Sequence, residues 1–157
     1  MAAFAISGCA SSVPADAAFN EWQVYELGTS RPPPSSYALD GNEEYCVPWP
    51  LSECVYRRDN LSLAYHDGIL ISKEALTRGL QRSNPLIERL AAAGGRDRVI
   101  EVLKEYAPHG EPACYDIGTA VYPCGVLLND DPSEYFEASF SSEWELLSIK
   151  FNKPDAL

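Results

Sequence analysis

LSLAYHDGILI, residues 61–71, is the stretch whose reading decides the fold. Leu61, Leu63 and Tyr65 alternate with small or polar residues, the period-two pattern of a strand with one buried face. Asp67-Gly68 follows, a pair suited to the two positive φ angles of a type I′ turn, and Ile69 to Ile71 return. A β-hairpin is predicted here.

Downstream, the period changes. Ser72 reads as an N-cap, and Ala75, Leu76, Gly79 and Leu80 form a helical stripe ending near Asn84, ahead of Pro85. Pro85 opens a second helix through Leu86, Ile87, Leu90 and Ala91, closed by Gly94-Gly95. Asp97 caps a third, with Val99, Ile100, Val102, Leu103 and Tyr106 inward and Pro108 beyond its end. Beyond these come a hairpin bracketed by Cys114 and Cys124, an apolar run at Val126 to Leu128, and a turn at NDDPS. Two more strands follow, EYFEASF (134–140) and EWELLSIKF (143–151).

Upstream, residues 1–18 read as a tether and EWQVYEL (21–27) alternates as a strand. Residues 28–50 read as a long loop, because Pro32 to Pro34, Pro48 and Pro50 exclude helix and central strand. Strands, then helices, then strands with short links predict an α+β domain over 19–157. It has an antiparallel or mixed sheet with two to three helices packed on one face. Trp22, Phe136, Phe140, Trp144 and Phe151 are read as core or edge packing.

The chain has 157 residues, 46% apolar and 22% charged, which places it among globular sequences. Its net charge of −11 repels phosphate backbones, so nucleic-acid binding is not expected. The charge is uneven. Residues 107–149 hold eight acidic side chains (Glu111, Asp116, Asp130, Asp131, Glu134, Glu137, Glu143, Glu145) and no Lys or Arg. That half is a candidate face for a cationic partner, with solubilisation as the plainer alternative. No apolar run approaches the length of a transmembrane helix.

Five cysteines are present, Cys9, Cys46, Cys54, Cys114 and Cys124, one in the tail and four in the body. Two local disulfides are expected, Cys46–Cys54 across a proline-bent span and Cys114–Cys124 across a two-residue turn at Gly118-Thr119. Cross-pairing between the two groups stays open. Neither spacing is that of a zinc site, and no metal or other cofactor is expected. Ile6-Ser7-Gly8-Cys9 resembles the lipobox of bacterial lipoproteins, and Ala10 to Asp16 fits the tether that follows. The resemblance implies lipidation at Cys9 and export to the periplasm, with an alanine after the cysteine suiting the outer membrane. Membrane contact would then be through the lipid alone. Met1 to Ile6 departs from the export pattern in lacking a positive charge and a full apolar region.

No catalytic residue is expected. His66 and Asp67 are adjacent, and in a strand such neighbours point to opposite faces. His109 sits in APHGEPA without a recognisable nucleophile, and no nucleophile elbow, phosphate loop or metalloprotease motif occurs. NDDPSE lacks the cadence of a calcium loop. These observations lead to a non-enzymatic envelope lipoprotein that binds and inhibits a secreted cationic toxin or cell-wall-degrading enzyme. Asp130, Asp131, Glu134, Glu137 and Trp49 are its candidate contacts. Two alternatives are a scaffold lipoprotein bound to an outer-membrane or secretion-machine component, and a small periplasmic hydrolase using His109.

Overall fold

A computed structural model describes residues 15–41, 53–77, 84–130 and 133–153. Helix α1 (Ala15–Gln23) is followed by strands β1 (Ala38–Asp40), β2 (Glu53–Arg58), β3 (Leu61–His66) and β4 (Ile69–Leu76). Then come helices α2 (Pro85–Ala91) and α3 (Arg96–Tyr106), and strands β5 (Ala113–Cys114), β6 (Val121–Asp130), β7 (Ser133–Ser141) and β8 (Leu146–Asn152). The eight strands form one antiparallel sheet in the order β1-β2-β3-β4-β8-β7-β6-β5. The expected α+β class, with three helices among the described residues, is what the chain adopts.

The β3–β4 hairpin forms as its sequence predicts. Asp67 and Gly68 take φ of 48° and 77°, the paired positive angles that twist the turn in the sense of the strands. A bulge at Ala64/Tyr65 leaves Ile71 without a partner on β3. It brings Leu70, Lys73 and Ala75 onto the face that also carries Leu61, Leu63 and Tyr65.

Two elements depart from expectation. Ser72 to Leu76 is strand, not the start of a helix. It pairs with β3 on one side and, from Ser72–Asn152 to Leu76–Ser148, with β8 on the other. Two ladders of backbone hydrogen bonds outweigh a weak helical stripe. Residues 78–83 of the expected helix lie outside the described residues. Glu21 to Gln23 is helix, not strand, because Ala18, Phe19 and Trp22 make a 3.6-residue stripe that the sheet buries. Helix α1 therefore begins inside the stretch expected to be a tether.

Helix α2 forms where its cap places it, and α3 begins two residues earlier than its expected cap implies. Asn84 Oδ1 accepts from the backbone N–H of Leu86 and Ile87, and Pro85 occupies the first turn. Gly95, not Asp97, is the N-cap of α3. Val99, Val102 and Leu103 are buried as expected, while Tyr106 remains 40% exposed.

All three helices lie on one face of the sheet. Across it, Lys73 pairs with Phe151, Phe151 with Phe136 and Phe136 with Val126, a row that shares that face. A chain of aromatic rings runs over the row: Phe19 to Trp22 at 5.4 Å between centroids, Trp22 to Phe151 at 6.1 Å, Phe151 to Phe136 at 5.0 Å, and Phe136 to Tyr106 at 5.4 Å. It ties α1 to α3 through β8 and β7, with Phe19 stacked on Trp22 and the other three pairs tilted or edge-on, arrangements that aromatic quadrupoles favour. The Trp22 indole N–H donates to the Ser62 carbonyl at 3.1 Å, so its burial leaves no donor unsatisfied.

Cys114 and Cys124 are directly opposed on β5 and β6 and are disulfide-bonded. The link between these strands is a six-residue loop, 115–120, rather than a two-residue turn. Asp116 Oδ1 accepts from the Gly118 N–H at 2.9 Å, an Asx turn that replaces the expected geometry. Cys54 is also disulfide-bonded. Cys46, its expected partner, and Cys9 lie outside the described residues.

Candidate functional site

The helical layer is divided. Helix α1 covers β3, β4 and β8, while α2 and α3 lie toward β5–β7, and between the two groups a cleft of about 540 Å³ opens onto the sheet. Its walls are Trp22, Ile87, Tyr106, Ile149 and Phe151, with Lys73, Glu134 and Lys153 among its polar lining. The volume is that of an ordinary small-molecule site.

Lys73 is the most unusual group in the cleft. A lysine on a strand face that packs under helices loses its hydration and must recover it from the protein. Its ammonium donates to the carbonyls of Trp22 (3.3 Å), Gln23 (2.8 Å) and Tyr25 (2.9 Å), at the C-terminal end of α1 where carbonyls are unpaired and the helix dipole favours a cation. The same ammonium lies 4.8 Å from the centroid of the Trp22 ring and 5.3 Å from that of Phe151. Burial lowers its pKa from 10.5 to about 8, against the opposing fields of Glu134 and Glu26. All three ammonium hydrogens are thus committed, and the residue acts as a cap for α1 rather than as a free nucleophile. Nothing in the sequence marks Lys73 as such a group; only a strand reading of 72–76 would have placed it beside Ala75 on the buried face.

A second concave feature lies at the far end of the sheet. The loop held by Cys114–Cys124 exposes Tyr115 (55%) and Ile117 (59%). Tyr115, Asp116, Tyr122, Trp144 and Arg96 line a hollow of about 140 Å³ beside it. Trp144 adopts φ of 62°, an uncommon angle for a bulky residue, and its ring stacks on Tyr122 at 5.5 Å. Glu143 and Glu145, exposed on either side of Trp144, are held by their backbone N–H groups, both of which donate to Ser141 Oγ at 3.2 Å. Asp116 at the hollow and Glu143 and Glu145 beside Trp144 outnumber the Arg96 guanidinium and give this tip an acidic rim. The sequence revealed the acids but not that the disulfide loop and the β7–β8 turn bring them to one end.

The candidate contact residues are dispersed. Glu134 points into the cleft, where its field acts on Lys73 and Tyr106. Glu137 stands on the opposite face of β7, paired in register with Lys150 and Gly125. Trp49, Asp131 and the Asp130 side chain lie outside the described residues. His66 and Asp67 do approach each other, with His66 Nε2 3.6 Å from Asp67 Oδ2, because Asp67 has left the strand for the positive-φ turn. This corrects the expectation of opposed side chains, although the distance is too long for a hydrogen bond. His109 is exposed on the loop after α3. Among the described residues no cluster of His, Cys, Asp and Glu is placed to hold a metal ion, and no helix is long and apolar enough to cross a membrane.

Comparison of the chain with protein-family models, with curated proteins and with solved structures gave no match.

Proposed function

We propose that this chain is a non-catalytic, lipid-anchored protein of the bacterial envelope that binds a cationic protein and inhibits it, the target being a secreted toxin or a cell-wall-degrading enzyme. The observation that carries the reading is the hairpin tip. A disulfide-held loop presents Tyr115 and Ile117 beside the Tyr122–Trp144 stack, within the acidic rim of Asp116, Glu143 and Glu145. Aromatic and aliphatic anchors inside a charged border are the anatomy of a docking patch, and the border's sign selects a basic partner and speeds its approach. Disulfide-bonded Cys54, Cys114 and Cys124 suit an oxidising compartment, in agreement with the lipobox-like Ile6-Ser7-Gly8-Cys9.

The test is co-precipitation from envelope extracts with the full chain and with a Tyr115→Ala/Ile117→Ala variant, at low and high salt. The expected result is a basic protein retained by the native chain, weakened by salt and lost from the variant. Equal recovery by both chains would overturn the assignment to the tip. Anchoring is tested separately, by Cys9→Ser, which should move the protein from the membrane fraction to the soluble periplasm.

A further inference from the structure

We infer that the cleft between α1 and the α2–α3 pair is a binding site for a free α-amino acid with a large apolar or aromatic side chain. The inference is independent of the hairpin tip and of any protein partner.

The argument starts from charge. Four ionic groups line the cleft, Lys73 and Lys153 against Glu26 and Glu134, so its formal charge balances and it suits a ligand that is itself net neutral. The interior ammonium of Lys73 has spent its three hydrogens on the carbonyls of Trp22, Gln23 and Tyr25, so it contributes a field but no further bond. Glu134 and Lys153 are different. They flank the Tyr135–Asn152 pair, one residue before it on β7 and one just past the end of β8, and both line the cleft. Neither forms an ion pair among the described residues. A carboxylate and an ammonium on neighbouring positions of the sheet, each without an ionic partner among the described residues, match a ligand that carries both opposite charges a few bonds apart.

The apolar part of the ligand follows from the walls. Trp22, Ile87, Ile149 and Phe151 line a space of about 540 Å³, too large for glycine or alanine to fill and wide enough for an indole or phenyl group. The ligand ammonium would pair with Glu134, the carboxylate whose field also acts on Lys73. Its carboxylate would turn toward Lys153. Charge-assisted bonds to both ends of a zwitterion, with the side chain withdrawn from water, distinguish it from a fatty acid or a simple amine.

The experiment is isothermal titration of the full-length protein with L-tryptophan and L-phenylalanine. Their N-acetyl and methyl-ester derivatives serve as probes that each lack one charge. A dissociation constant of about a millimolar or tighter is expected for the free amino acids, with each derivative weakened by about tenfold or more through loss of one charge-assisted bond. Glu134→Gln should abolish the discrimination against the N-acetyl form and Lys153→Met that against the ester. The derivative series needs no variant at all, so misfolding cannot obscure the result. Absence of heat with either amino acid, or derivatives that bind as tightly as the parents, would overturn the assignment.

Discussion

Lys73 and Trp22 are joined twice, the lysine ammonium lying 4.8 Å from the centroid of the indole ring and 3.3 Å from the carbonyl oxygen of the same residue. The contact links β4 to the end of α1 across 51 positions of sequence. It explains how a charge is tolerated at 7% exposure: the helix supplies carbonyls that would otherwise be orphaned, and the lysine supplies hydrogens that would otherwise be dry.

Replacing Lys73 by Met is expected to destabilise the fold by about 1–3 kcal/mol, because three carbonyls lose their donor while the volume is kept. The difference should depend on pH. With Lys73 lowered to about 8 in the folded chain and near 10.5 when unfolded, the unfolded state holds the extra proton between those values. The penalty of burying the charge is therefore full below pH 8 and is relieved as pH rises through that window. Urea denaturation of both proteins at pH 7 and pH 10 should show the gap widening in favour of the native chain. A gap that stays constant would mean the ammonium keeps its proton throughout.

The tyrosines act in the opposite direction. Burial pushes Tyr37 up to about 12 and raises Tyr65, Tyr106 and Tyr135 as well. Their unfolded forms ionise first, near pH 10, so the stability they contribute is present below that value and lost as pH climbs beyond it. Absorbance titration of the phenolate band should show Tyr37 and Tyr65 ionising only as the protein unfolds.

Tyr37 offers a cleaner test. Its hydroxyl is buried with no hydrogen-bond partner among the described residues. Tyr37→Phe removes the desolvated oxygen and keeps the ring, so thermal unfolding should report a gain of about 1 kcal/mol. A loss of similar size would reveal a donor or acceptor supplied from the segments not described.

On the helix-free face, the Tyr135 ring lies across Gly125, where an added Cβ would come within 1.8 Å of the phenol oxygen. Gly125→Ala must displace that ring, at an expected cost of about 1–3 kcal/mol. Combining it with Tyr135→Ala should restore part of the loss, and a double-mutant cycle measures the coupling. Strict additivity would show that the ring moves aside freely.

Reduction of the Cys114–Cys124 bond, or Cys114→Ser with Cys124→Ser, is expected to cost about 2.5–3 kcal/mol by loop-closure entropy over a separation of 10 residues. Loss of partner binding at the tip should exceed the loss of stability, because Tyr115 and Ile117 lose their fixed presentation. Chemical denaturation and co-precipitation of the same variant separate the two effects.

What the sequence made legible follows from range. The Asp67-Gly68 turn and the opening of α2 at Pro85 are governed by residues a few positions apart and formed as read, whereas β8 begins at Leu146 and not at Glu143, because Glu143 to Glu145 are taken up by the turn on Ser141. Helix α1 and the second half of β4 were misread because their partners are remote. Trp22 needs Ser62, and Ser72 to Leu76 needs β8. The cleft was hidden for the same reason. Glu134 was singled out for its charge, but Lys73 and Lys153 join it only when β4, β7 and β8 are side by side. The acids of the tip were counted correctly, and their gathering at one end depended on a disulfide loop whose length the turn chemistry had underestimated.

The early start of α1 sets a length. Phe19 and Trp22 are locked into the core, so the first helix cannot serve as a spacer, and only five residues separate Cys9 from Ala15. Fully extended, the span from Cys9 to Ala15 reaches about 20 Å. A lipid at Cys9 would therefore hold this domain on a short leash, close against the headgroups, and any protein it captures would be captured at the membrane surface rather than out in the periplasmic space.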